Sequence, residues 1–336
     1  MNIKNYIDTE ELKFTVEFIT PCFLGGATGN AEIRTAPFKN LIRRWWRIVN
    51  GNLSPEELWQ KEAELFGSTE RNPKLGKSFG KSKVLLKILA VSEKCIPTNE
   101  KFSIGDLETG YGTMSLAKYI GYGPVETKSY LPPKSKISFS LTIPSKNRKE
   151  FIDILFLIKL FGTIGSRSHN GWGSIELIPE AKTFEFNPPS VFGSFKDLNL
   201  LDSKKKYPYL IAKDKNGVLA WKTQYCRNWS EAFGEIGQLY YDLRSHLKSL
   251  SDYSELMGFA SGKNRQPAQF TIKIVPQKVK SGDVIATKYY GLLIHLPYLL
   301  EYWKKEEYLE ACKYAYDFLD SRNNLSGWQR NSGGAK

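Results

Sequence analysis

The feature that most constrains this chain is the order in which two periodicities alternate along its first half. Leu12, Phe14, Val16 and Phe18 alternate with polar residues across Glu11–Ile19, the period of two that marks a half-buried strand. Phe38–Val49 switches to a helical period, with Pro37 at its first turn and Asn50-Gly51 as its stop. A second helix is expected from the cap Ser54-Pro55-Glu56-Glu57 to Phe66. Strands are expected at Lys83–Val91, Lys136–Ile143 and Trp172–Ile178, with an apolar helix at Asn147–Phe161. Ser92–Pro133, rich in Gly, Pro, Tyr and Lys, reads as an irregular insertion. A chain that orders its elements β, α, α, β, insertion, β, α, β has few ways to bury its apolar files, and the βαββαβ arrangement is the simplest.

The second half carries weaker signals. Asn187-Pro188-Pro189 reads as a linker, and Tyr209–Ala212 with Val218–Lys222 as a hairpin around Lys215-Asn216-Gly217. Trp229–Leu247 and Leu299–Leu319 read as helices, Gln269–Val275 and Val284–Leu293 as strands, and Ser326–Lys336 as a frayed tail. The expected fold class is α+β. Two ferredoxin-like βαββαβ domains are expected, at residues 1–182 with the insertion at 92–133, and at 183–336 in a divergent form.

Charge narrows the function classes. The chain of 336 residues has a formal charge of +13 and a pI near 9.3, and both halves are basic. A basic surface spread over both halves suits a polyanion, most often nucleic acid, better than a disordered basic arm would. Cys22, Cys95, Cys226 and Cys312 are too scattered for a zinc spacing or a disulfide framework. With only His169, His246 and His295, a His-rich metal site is excluded, and neither a metal nor a cofactor is expected. No apolar run approaches the ~20 residues of a membrane span, and Met1–Thr20 is too charged for a signal peptide, so a cytoplasmic protein without a membrane partner is expected.

Three segments carry chemistry. On the helix that follows Arg34, Leu41, Ile42, Trp45, Ile48 and Val49 fall on one arc at roughly 100° per residue, and Lys39, Arg43, Arg44 and Arg47 on the other. Trp46 falls at the rim, where an unstacked base could lie on its indole; alternatively both tryptophans are core and the cations a solvated face. Gly25-Gly26-Ala27-Thr28-Gly29-Asn30 precedes this helix, either as a phosphate-approaching loop or as a plain turn, and lacks the GK[ST] of a P-loop. Phe161–Gly173 is denser, with Gly165, Gly171 and Gly173 beside Arg167, His169 and Trp172. His169 is read either as a general base for attack by a 2′-hydroxyl or as a hydrogen-bond partner of RNA. Lys74, Lys77, Lys81 and Lys83, the run Lys204-Lys205-Lys206, and a third loop with Lys263 and Arg265 are further basic positions, each with a solvated loop as its alternative. No Asp occurs between Asp8 and Asp106, and no paired carboxylates suit two-metal hydrolysis.

TPCFLGGATGNAEIRTAPFKNLIRRWWR, then KEAELFGS (Lys61–Ser68), then LFGTIGSRSHNGWGS (Leu160–Ser174) resemble, in that order, the RAMP superfamily, and within it the first subunit of the Cmr effector complex of type III-B CRISPR systems. The resemblance covers roughly residues 12–178; in the second half only FASGKNRQPAQF (Phe259–Phe270) is similar. It implies two ferredoxin-like domains and a non-catalytic RNA-binding subunit that helps hold guide RNA and capture target RNA near the guide 3′ end, among other Cmr subunits. In such complexes cleavage resembles the task of a repeated subunit with a loop Asp, which the corresponding first-domain loops here lack. Carried over by position, Gly25, Gly26 and Arg34 match the first motif, Lys39, Arg43, Trp46 and Arg47 the helix, and Gly165, Arg167, Gly171 and Gly173 the distal loop. The expected RNA-binding set is completed by Arg44, His169, Lys263 and Arg265. Two other readings stand beside this one: a metal-independent endoribonuclease with His169 as base, and a scaffold whose basic face meets acidic proteins.

Overall fold

The structure is a computed structural model that describes residues 8–26, 29–71, 78–186, 195–198, 211–250, 252–261, 264–282, 284–299, 303–322 and 324–327. The linker 187–189, Lys74, Lys77, the lysine run 204–206, Lys263 and the tail from 328 lie outside the described residues.

The first unit runs β1 (Thr9–Phe18), α1 (Thr35–Val49), α2 (Pro55–Phe66), β2 (Leu85–Val91), β3 (Lys136–Pro144), α3 (Arg148–Phe161) and β4 (Ile175–Pro179). Its sheet has the order β2-β3-β1-β4, antiparallel throughout. Register follows from burial: Leu12, Phe14, Val16 and Phe18 of β1 are buried on one face, with Phe14 opposite Phe139. Phe38 of α1 packs on Phe18 and Phe139, which closes that face under the helices. The α2 start is a full capping box, Ser54 accepting from the Glu57 backbone and the Glu57 carboxylate from Ser54.

The second unit runs β5 (Ala220–Thr223), α4 (Trp229–Ser249), β6 (Phe270–Ser281), β7 (Val284–His295), α5 (Lys305–Asp320) and β8 (Leu325–Gly327), and its sheet order is β6-β7-β5-β8, again antiparallel. Taken by order of appearance, both sheets read 2-3-1-4, so both units are ferredoxin-like α+β folds with one topology. The last strand is a correction to the sequence reading. Leu325–Gly327 pairs with Trp221–Thr223 instead of fraying, because β5 leaves one edge for it. The final helix begins at Lys305, not Leu299, with Glu306 and Glu307 in the first turn where the helix dipole favours acids. The expected hairpin is shorter and shifted: Ala212–Asp214 pairs with Gly217–Val218, and Ala220 onward joins the large sheet.

The insertion 92–133 is structured. Asp106–Thr109 and Gly112–Ser115 form a hairpin, and Leu116–Gly121 is a short helix. These elements pack on α4 of the second unit: Gln238 exchanges hydrogen bonds with the Glu108 backbone at 3.0 and 3.1 Å. A Cβ at Gly237 would lie 2.7 Å from the Leu116 side chain, so the glycine allows this approach. One apolar core therefore joins Leu107, Leu116, Ile120 and Trp172 to Phe233 and Ile236 of α4. Among the described residues, no helix is long and apolar enough to cross a membrane.

Candidate nucleic-acid interface

On α1 the apolar arc is buried as its period requires, but Trp46 is buried with it, at 1% exposure, edge-on to Phe66 of α2. The expectation of an accessible indole at the rim is therefore overturned. The reason is α2, which covers the edge of α1 and turns a rim position into core, burying an indole that contributes about 3–5 kcal/mol.

The cations of α1 divide into two sets. Arg43 and Arg47, one turn apart, both donate to the carboxylate of Glu62 on α2, Arg47 Nε lying 2.8 Å from each oxygen. Glu62 is buried, whereas the two arginine side chains are 40% and 35% exposed. Lys39 donates to Ser82 Oγ at 2.8 Å, and burial, then the Arg43 charge, lowers its pKa from the usual lysine value. Arg34, exposed at the α1 N-cap, donates to the Gly25 carbonyl at 2.7 Å.

Arg44, rotated about 100° from Arg43, leaves this group. Its Nη1 donates to Nε2 of His169 in the distal glycine loop at 3.0 Å. A guanidinium only donates, so Nε2 is the acceptor and the neutral ring carries its proton on Nδ1. That Nδ1–H faces Thr271 Oγ1 of β6, 3.1 Å away, and the Ala268 carbonyl also accepts from the ring. Burial and the Arg44 charge push the His169 pKa down to about 3, against the smaller effect of Ala268. His169 is therefore neutral at physiological pH, and both its ring nitrogens are occupied.

The distal loop is held by contacts inside the chain. The His169 carbonyl accepts from Ile272 N at 2.8 Å and Ser174 Oγ from Ile274 N at 2.9 Å. Gly165, Gly171 and Gly173 have φ of +96°, +90° and +63°, the left-handed region that favours glycine. A Cβ there would meet Phe23 O at 2.9 Å, Ile272 Cγ2 at 2.9 Å and Ile164 O at 1.8 Å, respectively. Their glycines thus answer to packing against this chain's own atoms, a reading the sequence did not anticipate. Gly25, by contrast, has nothing within 4 Å of a notional Cβ, while a Cβ at Gly26 would meet Glu32.

Two cavities lie on either side of His169. One, of about 310 Å³, is lined by Asn40, Arg44, Arg47, Thr271 and Tyr298, with Pro267 and Ala268. The other, of about 830 Å³, is lined by Arg167, Ser168, Asn170, Tyr240, Arg244 and Gln266, with the same Pro267-Ala268 wall. Among the described residues, their linings hold Arg44, Arg47, Arg167 and Arg244 and no Asp or Glu. Of the expected RNA-binding set, Arg44, Arg47, Arg167, His169 and Gly165 line this seam; Gly25, Gly26, Arg34, Lys39, Arg43, Trp46 and Gly171 do not. Arg265 lies in the short strand Asn264–Gln266, next to Gln266 on the cavity wall, and Lys263 is outside the described residues. Arg244 and Thr271 were not anticipated. Arg244 follows the buried Tyr240 by four residues on α4, and nothing local in the sequence sets it across a cavity from Arg167.

None of the curated proteins matches this sequence. Residues 15–176, from within β1 to β4, match the family described as RAMPs, the RAMP superfamily. Just under half of the chain is thus similar to the RAMP superfamily. This matched stretch contributes α1 and the distal glycine loop to the seam, and the second unit contributes the opposite wall. Across both units the fold is similar to that of Cmr1 from Pyrococcus furiosus in its apo crystal structure, at 15% identity over 94% of this chain and 98% of that one, with a TM-score of 0.50. A chain in the cryo-EM structure of the type III-B Cmr-beta complex bound to cognate target RNA matches 51% of this chain and 61% of its own length, at 15% identity and a TM-score of 0.27.

Proposed function

We propose that this chain is a non-catalytic RNA-binding subunit of a type III-B CRISPR (Cmr) ribonucleoprotein, holding guide and target RNA near the guide 3′ end among other Cmr subunits. The observation that carries this reading is the seam: two adjoining cavities that present arginines from three elements and, among the described residues, no carboxylate. A ribose-phosphate strand supplies the regularly spaced anions such a lining lacks, and the guanidinium fork matches a phosphate. The family match and the Cmr1-like fold support the assembly part of the reading. The test is a titration of labelled single-stranded RNA against the full chain at several salt concentrations. Arg167→Ala combined with Arg244→Ala should weaken binding about 10- to 100-fold and reduce the salt slope by about 2. Unchanged affinity and slope in the folded double variant would overturn it.

The non-catalytic half of the proposal rests on His169. A general base needs a lone pair turned toward the 2′-hydroxyl, and here Nε2 is taken by Arg44 while Nδ1 carries the proton. Incubating the full chain with guide-repeat RNA in EDTA should give no cleavage. Products that disappear in His169→Ala would restore the endoribonuclease reading.

A further inference from the structure

The His169 loop of the seam belongs to the first unit, yet its geometry is held from the second. Four consecutive residues near the start of β6 make most of these contacts, beside the Ala268 carbonyl just before the strand. Thr271 Oγ1 takes the His169 Nδ1–H, and Ile272 N and Ile274 N bind the His169 carbonyl and Ser174 Oγ. Lys273 shares a strand face with Thr271, since side chains alternate along β6. It is fully buried, and its Nζ donates to the carbonyls of Ile158 and Lys159, in the last turn of α3. The Ile158 carbonyl also accepts from the C-cap Gly162 N at 2.7 Å, and a cation at this end suits the negative end of the dipole. The Lys159–Glu176 ion pair lies beside it, and both charges act on Lys273. The distal glycine loop begins one residue after α3, so β6 pins it at both its origin and its end.

We propose that Thr271 and Lys273 are positioning residues of the cationic seam. Thr271, with the Ala268 carbonyl, accepts the Nδ1–H of His169 and so supports the tautomer in which Nε2 offers its lone pair to Arg44 and holds that guanidinium at the wall of the smaller cavity. Lys273 fixes the end of α3 from which the loop springs. Neither needs to touch the anion. The proposal rests on the RNA reading of the seam for its effect on affinity, but not for its effect on the imidazole.

The experiment uses the full chain with selectively ¹⁵N-labelled histidine and a labelled single-stranded RNA. In the wild type the His169 ring should show the Nδ1–H tautomer. Thr271→Val keeps the shape and removes the hydroxyl. It should shift the ring away from that tautomer and weaken RNA binding about 3- to 10-fold, the size of one hydrogen bond, with the salt slope unchanged. Thr271→Ser should restore both. A folded Thr271→Val variant with wild-type tautomer and affinity would overturn the role of Thr271. Lys273→Met keeps the apolar stem; a similar loss of affinity at constant slope is expected, and an unaltered affinity in the folded variant would remove Lys273 from the proposal. If the wild type binds no RNA, the RNA reading fails, and the tautomer comparison by itself decides whether Thr271 positions His169.

Discussion

Adjacent arginines on one helix meet opposite surroundings. Arg43 points to the side of α1 covered by α2 and, with Arg47, closes on the buried carboxylate of Glu62. Arg44 points to the other side, where its only hydrogen-bond partner described is a neutral imidazole. The first arrangement cancels charge and ties two helices together; the second leaves a positive charge at the wall of the smaller cavity, whose lining holds no acid among the described residues. A basic stripe in a sequence is thus not one functional surface. Which of its members can serve a ligand depends on where the fold puts the few available carboxylates.

Four substitutions or conditions sharpen this contrast. The largest effect is expected from Glu62→Gln, which strands two arginines. It should destabilise the fold by about 2 kcal/mol in denaturant titration, less than for a fully buried pair because the arginine heads keep partial contact with water. RNA affinity should not fall; a loss would mean that Glu62 organises the interface instead of neutralising it.

The second concerns Lys273, a cation set on carbonyls, whose pKa burial pushes down to about 7, the Glu176 charge opposing and the Lys159 charge adding to the fall. Below that value the folded and unfolded chains are both protonated, and the cost of the buried charge is fully present. Above it the folded chain releases a proton that the unfolded chain keeps until its ordinary lysine pKa near 10.4. Stability should therefore gain about 1–2 kcal/mol from pH 7 to 8.5 through this group, and Lys273→Met should lack that part of the slope. Parallel pH profiles for the two proteins would contradict this.

Third, Arg44→Ala should weaken RNA binding about tenfold, or about 1.4 kcal/mol, and lower the salt slope by about 1, with Arg43→Ala leaving the slope nearly unchanged. Equal effects of the two would erase the distinction between the faces of α1. The smallest effect is expected at Gly25, where a side chain meets open space. Gly25→Ala should stay within about 0.5 kcal/mol of wild-type stability, and a melting curve shifted well beyond that would show that the first glycine loop is packed like the distal one.

The alternation in β1 and β3, the cap at Ser54 and the first-turn proline and asparagine-glycine stop of α1 were legible because each is a local matter of backbone geometry and apolar spacing. The ferredoxin-like order of the first unit followed from them. The second unit was only partly legible, since its closing strand Leu325–Gly327 is three residues long and owes its existence to the edge of β5. The candidate site divides in the same way. Residue types and their order along the chain brought Arg44, Arg167 and His169 to notice, but a helical wheel cannot show that a second helix will cover Trp46.

The sequence by itself determined what each segment can be: its period, its caps, its surplus of cations and the family its motifs resemble. The tertiary structure alone decided which charges remain uncompensated, because Arg43 and Glu62 are 19 positions apart and His169 and Thr271 are 102 apart. Local propensity acts over a few residues, whereas electrostatic compensation and burial act through space, and only the folded chain makes such positions neighbours.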